Sequence, residues 1–151
     1  MDREQARAIE WDCAKLVHEF YCALDDQRYS DLANLFAPKG IWNRLGIDLT
    51  GPDEILRAMT GRADWVTAHL VSNLRVKVLD EDHAETAQYI TLYRIEGVDP
   101  AKGPPDVVLP IGVLRHWDQH VRVAGEWKIA RKTSRAILIN RASTTKYDKE
   151  S

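Results

Sequence analysis

Residues 11–36 read WDCAKLVHEFYCALDDQRYSDLANLF, and this stretch predicts an amphipathic helix, a short break and a second helix. Apolar side chains recur in and just before it at the spacing of one helix face: Ile9, Cys13, Leu16, Val17, Phe20 and Leu24. His18, Tyr21 and Asp25 lie three and four residues apart, so they share the flank beside that apolar stripe. A polar flank that borders a buried face is expected at the wall of a cavity, and Asp25 is therefore a candidate functional residue.

The rest of the chain predicts helices first and strands afterwards. The first helix is expected over 3–28 and the second over 30–36, with Ser30 as N-cap and with Pro38 and Gly40 ending it. A third helix opens at 50–54 (TGPDE) and stops at Gly61. The expected strands are a short one over 41–45 and four long ones over 67–79, 85–96, 107–122 and 126–140.

This order of elements predicts an α+β fold. We expect three N-terminal helices on one face of a strongly curved, mainly antiparallel sheet, which together form a cone that encloses a pocket. The loop over 97–106, which contains three prolines, is expected at the rim of that pocket. The whole chain, 1–151, is expected to be one domain, with a core over about 5–140 and a polar tail over 141–151.

Composition excludes several classes of function. The chain has 23 acidic and 21 basic residues and a net charge of −2, which argues against nucleic-acid binding. No apolar run approaches the roughly 20 residues that span a bilayer, and the polar start MDREQARAIE does not have the pattern of a signal peptide. The two cysteines are expected to be free thiols in a cytoplasmic protein. Without a CxxC or HExxH motif, we expect no metal and no cofactor.

Four segments resemble the SnoaL-like branch of the nuclear-transport-factor-2-like superfamily over about residues 5–140. They are ALDDQRYSDLANLFAP at 23–38, GPDEI at 51–55, TAHLVSN at 67–73 and GEWKIARK at 125–132. Within this branch the chain looks most like the scytalone dehydratase-like lyases. The resemblance implies the cone-like fold, and it also implies that Asp25 and His69 occupy the positions of the catalytic aspartate and histidine of those enzymes.

The remaining candidate site residues are expected to bind substrate. Tyr21 and Tyr93 are candidate donors to an oxyanion, and Trp42 is expected to line the pocket. By the resemblance, His116 falls where the dehydratase has an asparagine, and Arg135 is nearest to an arginine of bile-acid lyases. By the same resemblance, Leu24 and Arg44 stand where the dehydratase has tyrosines, and Leu114 stands where it has a serine. These differences point to a substrate other than scytalone.

Two functions follow as hypotheses. The first is a cofactor-free dehydratase, lyase or isomerase acting on a small apolar cyclic or aromatic compound, with His69 as general base and Asp25 orienting it. The alternative is a non-catalytic small-molecule-binding or structural subunit, resembling the small subunit of ring-hydroxylating dioxygenases. Convergence of Asp25 and His69 within hydrogen-bonding distance favours the enzyme, whereas divergence favours the subunit.

The orientation of His69 depends on a bulge. Leu74, Val76 and Val78 alternate with charged residues, and strict alternation from them places His69 on the solvent side. A bulge near 72–73, implied by the resemblance, turns it inward. Because apolar residues over 107–114 face both sides of their predicted strand, we also expect a homo-oligomer, a dimer or trimer, formed through the open face of the sheet.

Overall fold

The computed structural model describes residues 1–62 and 65–142, and within them three α-helices pack on a six-stranded sheet. The helices are α1 (Arg3–Asp25), α2 (Tyr29–Asn34) and α3 (Gly51–Thr60). The strands are β1 (Phe36–Arg44), β2 (Ile47–Thr50), β3 (Trp65–Val78), β4 (His83–Glu96), β5 (Gly112–Val123) and β6 (Glu126–Ile139). Residues 143–151 of the predicted polar tail lie outside the described residues.

The sheet has the order β2-β1-β6-β5-β4-β3, and only the β1–β6 pair is parallel among the described strands. The prediction of a mainly antiparallel sheet covered by N-terminal helices is therefore confirmed. Register shifts interrupt the β1–β6, β3–β4 and β5–β6 ladders. Such bulges bend and twist the strands, which curves the sheet around α1.

Helix α1 forms the centre of the core. Its N-terminus is closed by a capping box, in which Asp2 Oδ1 accepts the Gln5 N–H and Gln5 Oε1 accepts the Asp2 N–H, each at 2.8 Å. Every residue of the predicted apolar stripe is buried: Ile9, Cys13, Leu16, Val17, Phe20 and Leu24. The helix ends at Asp25 and not at residue 28, since Gln27 adopts a φ of 58° that no α-helix accommodates. Asp25 is therefore the last residue of α1.

The region that follows differs from the prediction. Ser30 lies inside α2, which begins at Tyr29, and β1 runs through Pro38 and Gly40. At Gly40 a Cβ atom would lie 2.5 Å from the carbonyl oxygen of Ile129, so only glycine permits this close approach of β6. The short strand β2 was not predicted. It forms a hairpin with β1 through Leu45 and Gly46, whose φ values are both positive.

The third long strand starts later than the predicted residue 107. Strand β5 begins at Gly112, and residues 103–110 have no regular structure. Prolines at 104, 105 and 110 have no N–H to donate to a sheet, and the Val107 side chain is 91% exposed. The argument that residues 107–110 belong to a strand buried on both faces is therefore wrong.

Candidate functional site

Asp25 and His69 are in direct contact. Asp25 Oδ1 lies 2.6 Å from His69 Nδ1, and Oδ2 accepts the backbone N–H of His69 at 2.8 Å. The Thr67 hydroxyl donates to Oδ1 at 2.7 Å. A carboxylate at the C-terminus of a helix gains nothing from the helix dipole. Donors on β3 therefore stabilise it, and the two side chains converge as the sequence predicts.

The electrostatics of Asp25 determine which nitrogen of His69 is free. Burial raises the pKa of the Asp25 carboxyl, but the hydrogen bonds and charge of His69 and the Thr67 hydroxyl outweigh this effect and hold the pKa below 3.8. An ionised carboxylate only accepts hydrogen bonds, so the proton lies on Nδ1 of His69. Nε2 of the neutral ring then carries a lone pair. The arrangement matches the carboxylate–imidazole part of a general-base site.

A bulge in β3 turns His69 inward. Ser72 pairs with Tyr89 and Arg75 with Ala87, so β3 has one residue more than β4 between these pairs. Asn73 adopts a φ of 51°, a conformation that asparagine tolerates better than most residues. Leu74, Val76 and Val78 face the core on one side of the bulge, and Thr67 and Val71 face it on the other. The predicted bulge is confirmed.

His69 lines a cavity of about 400 Å³ between the helices and the sheet. The described residues around it are Phe20, Tyr21, Leu24, Trp42, Arg44, Leu45, Ala58, Gly61, Arg62, Trp65, Thr67, His69, Leu92, Arg94, Leu114, His116 and Ser134. Its size is that of a small-molecule site. Of the predicted substrate-binding residues, Tyr21, Trp42 and His116 lie in its wall.

Tyr93 and Arg135 do not line the cavity, and both predictions are wrong. His69 pairs with Leu92, which faces the cavity, and its neighbour Tyr93 pairs with Ala68 on the other face of the sheet. Arg135 pairs with Arg115, next to the inward-facing pair His116–Ser134. The guanidinium groups of Arg115 and Arg135 lie 5.0 and 5.4 Å from the Trp117 ring centroid. Side chains alternate between the two faces of a sheet, so Tyr93 and Arg135, each one residue away from an inward-facing position, point to the outer face.

Tyr21 connects His69 to His116. The Tyr21 hydroxyl oxygen lies 3.0 Å from His116 Nδ1, and the Tyr21 ring lies beside the His69 ring at 5.4 Å between centroids. Burial lowers the pKa of His116 well below 6.5, and the charges of Lys132 and His69 lower it further. Burial and the charge of Asp118 raise the pKa of Tyr21 well above 10. Both groups are therefore uncharged at neutral pH.

A buried ion pair, which sequence reasoning missed, supports these rings. Lys132 Nζ donates to Asp118 Oδ2 at 2.8 Å, and neither side chain has exposed surface. The Gln88 amide donates to the same oxygen at 2.8 Å. Lys132 Nζ lies 4.8 Å from the Tyr21 ring centroid. Alternation within LRHWDQH at 114–120 places His116, Asp118 and His120 on one face, but a polar set of this kind is normally expected to face solvent.

The described residues offer no metal site, because no three His, Cys, Asp or Glu side chains among them are grouped to hold an ion. None of the described helices is long and apolar enough to cross a bilayer. The described part of the cavity wall presents two imidazoles, one phenol and three guanidinium groups.

Several solved structures have the same fold as this chain. A hexachlorocyclohexane dehydrochlorinase from Novosphingobium barchaimii has a TM-score of 0.74 and 16% identity, with 92% of this chain and 93% of that chain covered. A proposed scytalone dehydratase from Novosphingobium aromaticivorans has a TM-score of 0.73 and 18% identity, with 96% of this chain and 100% of that chain covered. A nuclear-transport-factor-2-like protein with a cystatin-like fold, also from Novosphingobium aromaticivorans, has a TM-score of 0.70 and 15% identity, with 87% and 84% covered.

At these identities the shared feature is the fold alone. No curated protein is similar enough in sequence to count as a relative. The model of the SnoaL-like domain matches residues 5–133, which includes both Asp25 and His69. The chain therefore belongs to the SnoaL-like domain family, within the nuclear-transport-factor-2-like superfamily.

Proposed function

We propose that this protein is a cofactor-free lyase or isomerase that removes a proton from carbon in a small cyclic or aromatic compound. The observation that carries the proposal is the 2.6 Å contact between Asp25 Oδ1 and His69 Nδ1, with His69 at the wall of the cavity. The similarity in fold to a dehydrochlorinase and a proposed dehydratase is consistent with it. Dehydration removes water and dehydrochlorination removes HCl, so both names denote eliminations in which carbon loses a proton.

His69 is the general base of this mechanism. Its Nε2 lone pair takes the proton of a C–H bond next to an activating group, and the bonding electrons form a C=C bond or an enolate. The imidazolium that results is stabilised by the Asp25 carboxylate, which also holds the ring in one tautomer. The His69 side chain is 10% exposed, and in such a site each charge interaction is stronger than in water.

His116 is the proposed donor to the oxygen that gains negative charge. In this proposal the Tyr21 hydroxyl donates its proton to the hydrogen bond with His116 Nδ1, 3.0 Å away. A neutral His116 then carries its own proton on Nε2, at the cavity wall. In a dehydration, His116 donates a hydrogen bond to the leaving hydroxyl group. The proton that His69 took from carbon passes to this oxygen, the C–O bond breaks, water is released and His69 is neutral again. In an isomerisation, His116 donates a hydrogen bond to the enolate, and His69 returns its proton to another carbon.

Proton abstraction is measured without knowing the product. The protein in D₂O is incubated with a panel of cyclic ketones and cyclic β-hydroxyketones, and loss of C–H signals is followed by proton NMR. His69→Gln and Asp25→Asn are expected to slow exchange by about 10²–10⁴-fold. His83→Gln is the matched control, because His83 Nδ1 lies 2.9 Å from Asp80 Oδ1 in an exposed pair.

The result that contradicts the proposal is exchange that is equally fast in His69→Gln, Asp25→Asn and His83→Gln. Folding of each variant is verified by circular dichroism. A cavity that binds members of the panel but exchanges none of their protons, in any variant, supports the alternative of a non-catalytic binding subunit. Convergence of Asp25 and His69 favours the enzyme, since a binding subunit has no need for a carboxylate–imidazole pair.

We also propose that the protein is a homo-oligomer that associates through the outer face of the sheet. Arg115, Trp117 and Arg135 stack on this face, and a groove of about 530 Å³ runs beside them. Arginine and tryptophan are enriched at protein interfaces. The Leu138 and Ile139 side chains, at the end of the same sheet, are 64% and 52% exposed. Light scattering on a sizing column tests this proposal, and a monomer at micromolar concentration contradicts it.

A further inference from the structure

Three arginines from three separate elements meet at one end of the cavity. Arg44 lies at the end of β1, Arg62 follows α3, and Arg94 lies near the end of β4. Of the described residues that line the cavity, these three are basic and none is acidic. A cavity lined by charges of one sign concentrates the opposite charge inside it. This end of the site is therefore positive, although the whole protein has a net charge of −2.

Two tryptophans hold the guanidinium groups in place. The carbons of the Arg62 and Arg94 guanidinium groups lie 5.1 and 4.6 Å from the Trp65 ring centroid, and that of Arg44 lies 6.0 Å from the Trp42 centroid. Stacking on an indole restricts an arginine but leaves the N–H groups in the ring plane available to bind. The groups are thus fixed before a ligand arrives, which reduces the entropy lost on binding.

One nitrogen of this cluster lacks a hydrogen-bond partner in the described part of the chain. It is the buried Nε of Arg62, whereas Arg94 has Glu96 3.6 Å away. Burial lowers the pKa of Arg44, and the charges of Arg62 and Arg94 lower it further. Burial also lowers the pKa of Arg62; Tyr29 and the Asp25 charge act against this effect, and the charge of Arg94 adds to it. Arginine stays protonated in proteins, so the three positive charges remain close together in the folded chain, and a bound anion would reduce their mutual repulsion.

We propose that the substrate of this site carries an oxyanion, a carboxylate or a phosphate ester, which Arg44 and Arg62 bind while Arg94 adds to the positive potential. The proposal rests on the proposed function and adds to it the chemical class of the substrate. His69 and His116 then face the ring of the bound compound, and the arginines face its acidic group. Arg44, at the wall of the cavity, makes this site suited to an organic acid.

Binding of simple probes tests this inference without turnover. Benzoate and 2-naphthoate are compared with benzamide and 2-naphthamide, their uncharged counterparts of nearly equal shape, by isothermal titration calorimetry. The acids are expected to bind more tightly than the amides. Arg44→Met and Arg62→Met are expected to weaken acid binding by roughly 10- to 100-fold each and to leave amide binding unchanged. Phenyl phosphate distinguishes the two oxyanions, since tighter binding than benzoate indicates a phosphate ester.

Two control variants separate this inference from the proposed function. Arg115→Met removes an arginine stacked 5.0 Å from Trp117 on the outer face of the sheet, and it is expected to leave acid binding unchanged. His69→Gln is expected to keep acid binding while it removes proton exchange. Equal affinity for acids and amides, or an equal loss of acid binding in Arg44→Met, Arg62→Met and Arg115→Met, overturns the oxyanion site. Loss of proton exchange alone leaves the oxyanion site intact.

Discussion

The buried pair Lys132–Asp118 offers a sharp test of how this core is held together. The two side chains are 2.8 Å apart and fully enclosed, and Asp118 Oδ1 has no hydrogen-bond partner in the described part of the chain. Lys132→Met keeps the length of the side chain but leaves a buried carboxylate without its cation. Removal of one partner of a buried pair costs about 3–5 kcal/mol, because the remaining charge stays desolvated. In a chain of this length that loss lowers Tm by roughly 6–20 °C.

The double variant distinguishes the energy of the pair from the cost of an unpaired charge. Asp118→Leu alone is expected to destabilise the protein by a similar amount, since it leaves a buried ammonium group. Lys132→Met combined with Asp118→Leu removes both charges, and its loss is expected to be well below that of either single variant. The Gln88 amide loses its acceptor in the double variant, which limits the recovery by about 1–3 kcal/mol.

Urea unfolding followed by circular dichroism measures these free energies. Lys128→Met, on the same strand, is the control, because Lys128 and Glu126 form a pair whose side chains are 25% and 73% exposed. Water screens that pair, so the control is expected to change the free energy of unfolding by about 0–1 kcal/mol. If each single variant loses less than about 1 kcal/mol, or if the two losses add in the double variant, the buried pair does not have the energetics assigned to it.

Three further predictions concern pH and the backbone. Burial is the main cause that lowers the pKa of His116 well below 6.5 and that of His120 to about 4, so below pH 6.5 the unfolded chain binds protons that the folded chain does not. The free energy of unfolding should therefore fall as pH drops from 6.5 towards 4, by up to about 1.4 kcal/mol per pH unit for each histidine. A flat pH profile in urea titrations contradicts this prediction. Asn73 has a φ of 51°, so Asn73→Gly should change the free energy of unfolding little, whereas Asn73→Val should lower it by about 1–2 kcal/mol. Equal stabilities of the two variants in urea would show that the bulge does not need the left-handed conformation. Gly112→Ala places a methyl group against the Leu138 carbonyl and should lower the free energy of unfolding, measured by chemical denaturation, by about 1–3 kcal/mol. Gly61→Ala is the control and should be nearly neutral, because the nearest contact of its added methyl group lies at 3.7 Å. Similar losses in the two variants would contradict the steric explanation.

The sequence was sufficient for the features that depend on local patterns. The stripe from Ile9 to Leu24 predicted the buried face of α1, and Pro52 and Gly61 marked the two ends of α3. The four long strands were recognised from runs of alternating residues, with errors at their ends. These signals lie within a few residues of each other, so propensity and periodicity are enough to read them.

The sequence was insufficient where a pattern depends on distant partners. Strand β1 runs through Pro38 and Gly40 because β6 approaches it there, and neither residue by itself predicts a strand. His69 could be placed inside only by assuming the bulge at 72–73 from the resemblance to known lyases. Arg62 and Arg94, which the structure brings to the cavity, were not recognised, because single arginines on separate elements have no local signal of a shared site.

The sequence alone thus determined the class of fold, the family and the residues Asp25 and His69 as a candidate pair. The tertiary structure alone decided which side chains share the cavity. It placed His116 beside Tyr21, enclosed Lys132 with Asp118, and turned Tyr93 and Arg135 to the outer face. The physical reason is that adjacent residues of a strand point to opposite faces, and one bulge or one shift in register exchanges those faces. Strand pairing between distant segments sets that register, and no short stretch of sequence contains it.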